Sequence, residues 1–276
     1  MNIYFKIETN VIHLIKRLQL GDFTSEKFEL NKICLEVIKM EKKKHLVVLG
    51  AHCGDGEIQA GAIAHKYAKA GWDLTFVHLT PGEKGNPPHL TVEEYAKQKI
   101  EEAEKAAAVL GGKSITLDYK DAELTFNDEI ITRVATLMRK LKPTLVITHW
   151  VNSIHPDHEL CPRIVEAAQL KAGLPGFDLE GLAPHYYSFY HSENWEDMEG
   201  YVPDIFVDVS DEFDTYLEAL SQYWFIMNSS SFRYYDYYKA LGTVRGCVSR
   251  AKYAQTLKYP VGANVRRGQS IPGFEL

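Results

Sequence analysis

Two short segments concentrate the imidazole and carboxylate groups of this chain. They are Ala51-His52-Cys53-Gly54-Asp55-Gly56-Glu57 and His155-Pro156-Asp157-His158. Imidazole nitrogen and carboxylate oxygen are good donors to zinc and similar cations. Three protein donors leave a fourth position for water, which is the arrangement of a catalytic site rather than a structural one. A cation so held lowers the pKa of that water to about 7 and makes hydroxide available at neutral pH. Each segment alone is ambiguous. His-x-x-Asp is a short pattern, and His-Pro-Asp-His also reads as a helix start, with proline at the first helical position and aspartate in the first turn. Both segments, however, follow buried apolar runs, His45–Gly50 and Thr144–Thr148. In parallel α/β sheets, ligands bind where loops leave the carboxyl ends of the strands, at a topological switch point. Together the two segments point to a divalent-metal site, with zinc and iron(II) both compatible with its donors.

The elements that must carry these segments alternate between strand and helix, the pattern of a parallel sheet with helices on both faces. After Lys44 the sequence predicts strands at His45–Gly50, Leu74–Leu79, Ser114–Leu117 and Thr144–Thr148. It predicts helices at Glu57–Ala70, from the Thr91/Glu94 capping box to Leu110, from Asn127 to Leu141, and at Glu159–Leu170. Beyond that the alternation loosens. Tyr186–Tyr190 and Ile205–Val209 read as strands, Asp211–Trp224 as a helix, Ser229–Tyr238 as a Ser/Tyr-rich segment, and about Thr243–Leu257 as a last helix. The expectation is a three-layer, Rossmann-like parallel sheet with a less regular C-terminal part. Residues 1–43 read as an accessory helical segment and 44–276 as the chemically active domain.

Composition narrows the function classes. The 276 residues are 45% hydrophobic and 25% charged, with a net charge of −6, so an ordinary core is within reach. A weakly acidic chain without clustered Lys and Arg does not suit nucleic acid. Cys34, Cys53, Cys161 and Cys247 form no CxxC pair, which favours a reducing compartment and packing roles. No secretion signal stands at the N-terminus, and no apolar run approaches the roughly 20 residues of a membrane span. The chain therefore reads as cytoplasmic. A dinucleotide site is disfavoured, because Gly50, Gly54 and Gly56 lack the G-x-G-x-x-G spacing.

At these residues the sequence resembles the PIG-L/LmbE-like zinc-dependent N-deacetylases, which carry a His-x-Asp-Asp-Ala-Glu type motif after the first strand and a later His-Pro-Asp-His. Supporting similarities are Gly61, the loop Thr80-Pro81-Gly82-Glu83-Lys84-Gly85, the helix from Glu101 to Gly111, the strand Asp204–Asp211, and Tyr253-Ala254-Gln255. The resemblance covers about residues 44–258. It implies that His52, Asp55 and His158 are the metal ligands. It also implies that His155 stabilises the tetrahedral intermediate or protonates the leaving amine, and that Asp157 tunes a histidine. The implied substrate is an N-acetylated amino sugar or a related small amide.

The chain departs from this pattern where the family has its general base, an aspartate, because that position is Gly54. A positioned base contributes about 10²–10⁴-fold to rate. Three outcomes stay open. Glu57, Glu83 or Asp157 takes over; the substrate supplies its own base; or the protein holds a metal and binds without efficient cleavage. Lys99 stands near where relatives have a substrate-contacting arginine, keeping the charge without the fork. Gln255 replaces a usual glutamate. Glu83, Lys99, His149 and Asn152 are the candidate substrate contacts, each weighed against an ordinary packing role. The group Tyr234, Tyr235, Tyr237 and Tyr238 suits a sugar face, the core or the contact of a homo-oligomer.

Overall fold

The computed structural model describes residues 43–194 and 199–260. The expectation of an accessory helical segment at the N-terminus falls on residues outside this range. Strand β1 (His45–His52) is followed by α1 (Asp55–Lys69), β2 (Asp73–Thr80), α2 (Val92–Val109), β3 (Lys113–Thr116), α3 (Asp128–Leu141), β4 (Leu145–His149), α4 (Pro156–Gly173) and β5 (Ser188–Ser192). The seven-stranded sheet has the order β3-β2-β1-β4-β5-β7-β6, with β6 at Ile205–Asp208 and β7 at Ala254–Lys258. The first five strands are mutually parallel. From β1 the sheet grows outward through β2 and β3 on one side and through β4 on the other. The crevice between the ends of β1 and β4 is therefore the switch point at which α/β sheets bind ligands.

Strand periodicity divides the core. Leu46 and Val48 of β1 face one layer with Ile63 of α1 and Ala103 and Ala106 of α2. Val47, Leu49 and Ala51 face the other layer with Val134 and Met138 of α3 and Ile164 and Val165 of α4. Both faces of β1 are covered, so its sequence is a continuous apolar run. Gly61 has a packing reason, since a Cβ there would lie 3.0 Å from the ring of Tyr216, whose hydroxyl donates to Ile58 O at 2.8 Å.

The C-terminal part differs from the expectation. The helix read at Asp211–Trp224 is two helices, α5 (Phe213–Leu220) and α6 (Trp224–Asn228). The last helix, α7, spans Tyr234–Ser249, earlier than read, and Ala254–Lys258 is the antiparallel strand β7. The tyrosines are helical because they pack against the core layer of α1 and α5. The helix stops at Arg250 in a left-handed conformation (φ 65°). The returning chain is tight enough that a Cβ on Gly246 would lie 2.6 Å from Lys252 O. Gln255 on β7 accepts from the Ile63 amide and donates to Ile58 O. A glutamate, which is acceptor only, could not make the second of these bonds.

Candidate metal and active site

The end of β1 is shaped by glycines. A Cβ on Gly50 would lie 2.9 Å from Asp55 Cβ, so the absence of one lets Asp55 fold back over the strand. Gly54, the N-cap of α1, has φ 107°, a region costly for other residues. The turn it makes lets the His52 amide donate to Asp55 Oδ2 at 2.7 Å. The loop after β2 closes on His52 from above: Gly82 has φ 73°, and a Cβ there would lie 2.8 Å from His52 Cβ. Across the crevice, His155 caps α4 and Pro156 opens it. The helix-start reading of His-Pro-Asp-His holds, and His155 and His158 of the same four residues line the crevice.

Three donor atoms converge in the crevice. His52 Nδ1 lies 3.0 Å from His158 Nε2, and Asp55 Oδ2 lies 3.3 Å from each. Ligand atoms about 2.0–2.1 Å from a tetrahedral cation are about 3.3–3.4 Å apart, so the triangle has the right size. The other nitrogen of His52 turns away from this centre. Its Nε2 donates to Asp157 Oδ2 at 3.2 Å, and Asp121 Oδ1 stands 3.0 Å from it. With Nε2 carrying the proton, the Nδ1 lone pair faces the centre. These residues fit a divalent cation by donor type, spacing and tautomer.

The electrostatics are set by burial and by these partners. Burial alone would lower the His52 pKa, but Asp55, Asp121 and Asp157 outweigh it and hold it well above the ordinary imidazole value. Burial would raise the Asp55 pKa, yet His158 and His52 hold its carboxyl well below the usual range. The same contest, with His52 as the main opposing partner, leaves Asp121 at about 2. His155 is pushed down by burial and by repulsion from His52 and His158. Its Nδ1 accepts from the Asp157 amide at 3.2 Å, so the proton of the neutral ring sits on Nε2, 3.9 Å from Asp121 Oδ1. His155 therefore presents a donor toward the crevice.

A cavity of about 290 Å³ opens here, and its lining brings together His52, Asp55, Lys99, His155 and His158 from the sequence reading. Asp157 lies behind His52. Four other candidates stand off the lining. Glu57 is wholly buried against His78, at 3.4 Å, because α1 turns its first-turn side chain toward β2. Glu83 accepts from the Asp121 amide at 3.1 Å and so supports a loop. His149 accepts from the Ala51 amide at 3.1 Å and lies 3.2 Å from Asp55 Oδ2, beneath the site. Asn152 is exposed and donates to Glu199 O at 3.4 Å. Cys53 packs against Thr116, its thiol pushed up to about 12 by burial. Asp121, Tyr95 and Phe225 line the cavity and were not read from the sequence, and Tyr234, from the tyrosine group weighed as a sugar face, lines it as well. Asp121 follows β3 in the segment Tyr119-Lys120-Asp121, and a carboxylate just beyond a parallel strand was the available signal for it.

Residues 47–169 match the family model described as PIG-L, GlcNAc-PI de-N-acetylase. A diacetylchitobiose deacetylase from Thermococcus kodakarensis is 27% identical over 232 residues, spanning 79% of this chain and 84% of its own. Residues 47–169 thus form a PIG-L/LmbE-like domain, the domain of a deacetylase family. A Bacillus anthracis member named "Probable N-acetyl-alpha-D-glucosaminyl L-malate deacetylase 2" is 28% identical over 189 residues, 66% of this chain and 80% of that one. The fold recurs in the crystal structure of the 4-carboxy-2-hydroxymuconate hydratase from Pseudomonas putida KT2440, with TM-score 0.70 and 22% identity, covering 82% of this chain and 100% of that one. Within this PIG-L/LmbE-like fold, the position of the usual general base is not merely vacated. A Cβ on Gly54 would lie 2.9 Å from Phe225 Cζ, so an aromatic ring stands there. Among the described residues no helix is long and apolar enough to cross a membrane.

Proposed function

We propose that this protein is a metal-dependent amidohydrolase that removes the acetyl group from an N-acetylated amino sugar or a related small amide. The observation that carries this reading is the convergence of His52 Nδ1, Asp55 Oδ2 and His158 Nε2 at 3.0–3.3 Å on the wall of a cavity. These three would hold zinc, and iron(II) suits the same donors. A cation there would polarise the acetyl carbonyl and lower the pKa of the attacking water.

The chain's own residues do the rest. Asp157 and Asp121 fix the ring of His52 from behind. His149 and the His52 amide flank Asp55 Oδ2. His155, with its proton on Nε2, would hydrogen-bond the oxyanion and keep that proton, and the proton released by the attacking water would pass to the departing amine. Lys99 and Tyr234 contact the remainder of the substrate. Acetate and a free amine are the products.

Gly54 supports a second reading, a metal-holding protein that binds the same class of ligand and cleaves it poorly. The ring of Phe225 beside Gly54 is the specific observation in its favour. The test is metal analysis together with acetate release from N-acetylglucosamine and diacetylchitobiose. The expected result is about one metal equivalent per chain, lost in His158→Ala, with acetate released only by the loaded wild type. Full metal retention in His158→Ala would refute the ligand set, and a loaded protein that releases no acetate would favour the binding reading.

A further inference from the structure

Lys99 lies on α2, is 5% exposed, and lines the cavity that holds the metal donors. Its ammonium stands 4.1 Å above the centroid of the Phe225 ring. Among the described residues it makes no ion pair with a carboxylate and no hydrogen bond to a carbonyl. An ammonium withdrawn this far from water needs an anionic partner, and a ring face replaces only part of the lost hydration.

Gly54 offers it no carboxylate. A side chain at that position would start 2.9 Å from Phe225 Cζ, beside the same ring on which the ammonium rests. The two carboxylates that do line the cavity are engaged elsewhere. Asp55 meets His52, His149 and His158, and Asp121 meets His52. Among the described residues Lys99 is also the only lysine or arginine on the cavity wall. A Cβ on Gly82 would lie 3.4 Å from Lys99 Nζ and 2.8 Å from His52 Cβ, so the ammonium and the first histidine border the same loop.

We infer that Lys99 forms an anion subsite, and that the substrate carries a carboxylate or phosphate besides its acetamide. This rests on the deacetylase reading for the acetamide, whereas the anion subsite stands on the unpaired ammonium.

The experiment uses the full chain as purified, with its metal content measured. Glucosamine, glucosamine 6-phosphate and muramic acid are titrated calorimetrically; these are deacetylated and so are not consumed. The expected result is that at least one of the two anionic sugars binds about tenfold or more tightly than glucosamine. The preferred one tells phosphate from carboxylate. In Lys99→Met that preference should fall to about unity, and in Lys99→Arg most of it should return. Lys99→Gln serves the same purpose if the methionine variant does not fold. Equal binding of all three sugars by the wild type, or a preference that survives loss of the charge, would overturn the subsite. Acetate release from the N-acetylated forms is measured in parallel. A charge preference without acetate release would sink the reaction and keep the subsite, and release without a charge preference would do the reverse.

Discussion

The ring of Phe225 stands where a side chain at Gly54 would have to go, with Cζ 2.9 Å from the built Cβ, and Gly54 itself has φ 107°. Two separate costs therefore oppose an acidic side chain at this position. The backbone conformation is strained for any L residue, by roughly 1–3 kcal/mol, and the ring must move. Gly54→Asp alone is expected to lower the melting temperature and to leave acetate release no higher than wild type. Gly54→Asp combined with Phe225→Ala opens the space, and we expect it to raise acetate release by about tenfold or more. Thermal melts and acetate assays on the four proteins of this cycle check both statements. A single Gly54→Asp that is stable and fast would show that the ring gives way easily.

Burial also sets a dependence of stability on pH. His149 is wholly buried beneath Asp55, and its pKa is pushed down to about 4 from the usual 6.5 by desolvation and by His158. Between those values the unfolded chain binds a proton at this residue and the folded chain does not. His149 therefore contributes stability that is complete above pH 6.5 and is lost as pH falls toward 4. His52, whose pKa is raised, works in the opposite sense, so the informative quantity is a difference between proteins. Urea unfolding of wild type and His149→Gln between pH 4 and 7 should show a shallower pH slope in the variant. Parallel slopes would mean that His149 takes up its proton equally in both states.

Arg139 governs stability through the backbone. It is 1% exposed on α3. Its guanidinium donates to the carbonyls of Ala172, Leu174, Phe177 and Leu182, at 2.7–2.9 Å, around the C-terminal end of α4 and the turns beyond it. Removing it leaves several buried carbonyls without donors. Arg139→Met should cost about 3–5 kcal/mol, and Arg139→Lys should recover only part, since an ammonium cannot span the same set. Chemical denaturation reads both, and a loss below about 1 kcal/mol would mean that water replaces the guanidinium.

The parallel half of the sheet was legible because buried strands are continuous apolar runs and their helices carry explicit caps. Thr91 with Glu94 forms the expected capping box, and Asn127 caps α3. The C-terminal half was not. Tyr234–Ser249 mixes Asp236, Lys239 and Thr243 with exposed Val244 and Val248 on its outer side, which blurs the helical period, and Ala254–Lys258 is short and pairs through backbone groups that any sequence supplies. At the site, His52, Asp55, His155 and His158 were readable because two motifs hold them. Asp121 and Phe225 were not, because each reaches the crevice by tertiary folding, one from a loop beyond β3 and one from α6. Glu57 was named as a carboxylate that could stand in for the missing base, and helix phase turns it toward His78.

Asp121 yields the sharpest test of how the site is built. Its amide is held by Glu83 at 3.1 Å, and its Oδ2 accepts from the Lys84 amide at 3.1 Å. The next residue, Ala122, has φ 58°, and its amide donates to Asp157 Oδ2 at 2.8 Å. A left-handed alanine persists only where its surroundings over-determine it, so this loop is fastened on both sides of Asp121. The result is Oδ1 at 3.0 Å from His52 Nε2, on the side of the ring opposite the donor triangle. A carboxylate there orients the imidazole and raises the basicity of the nitrogen facing the donor triangle. Loss of such a partner typically weakens metal affinity about 10–100-fold. Asp121→Ala should shift zinc affinity by that amount in a chelator competition, and Asp121→Asn should fall between it and wild type because the amide oxygen still accepts. The far-ultraviolet circular dichroism of both should stay as in wild type. If zinc affinity were unchanged in Asp121→Ala, Asp157 alone would suffice to hold His52 and the loop beyond β3 would have no part in the metal centre.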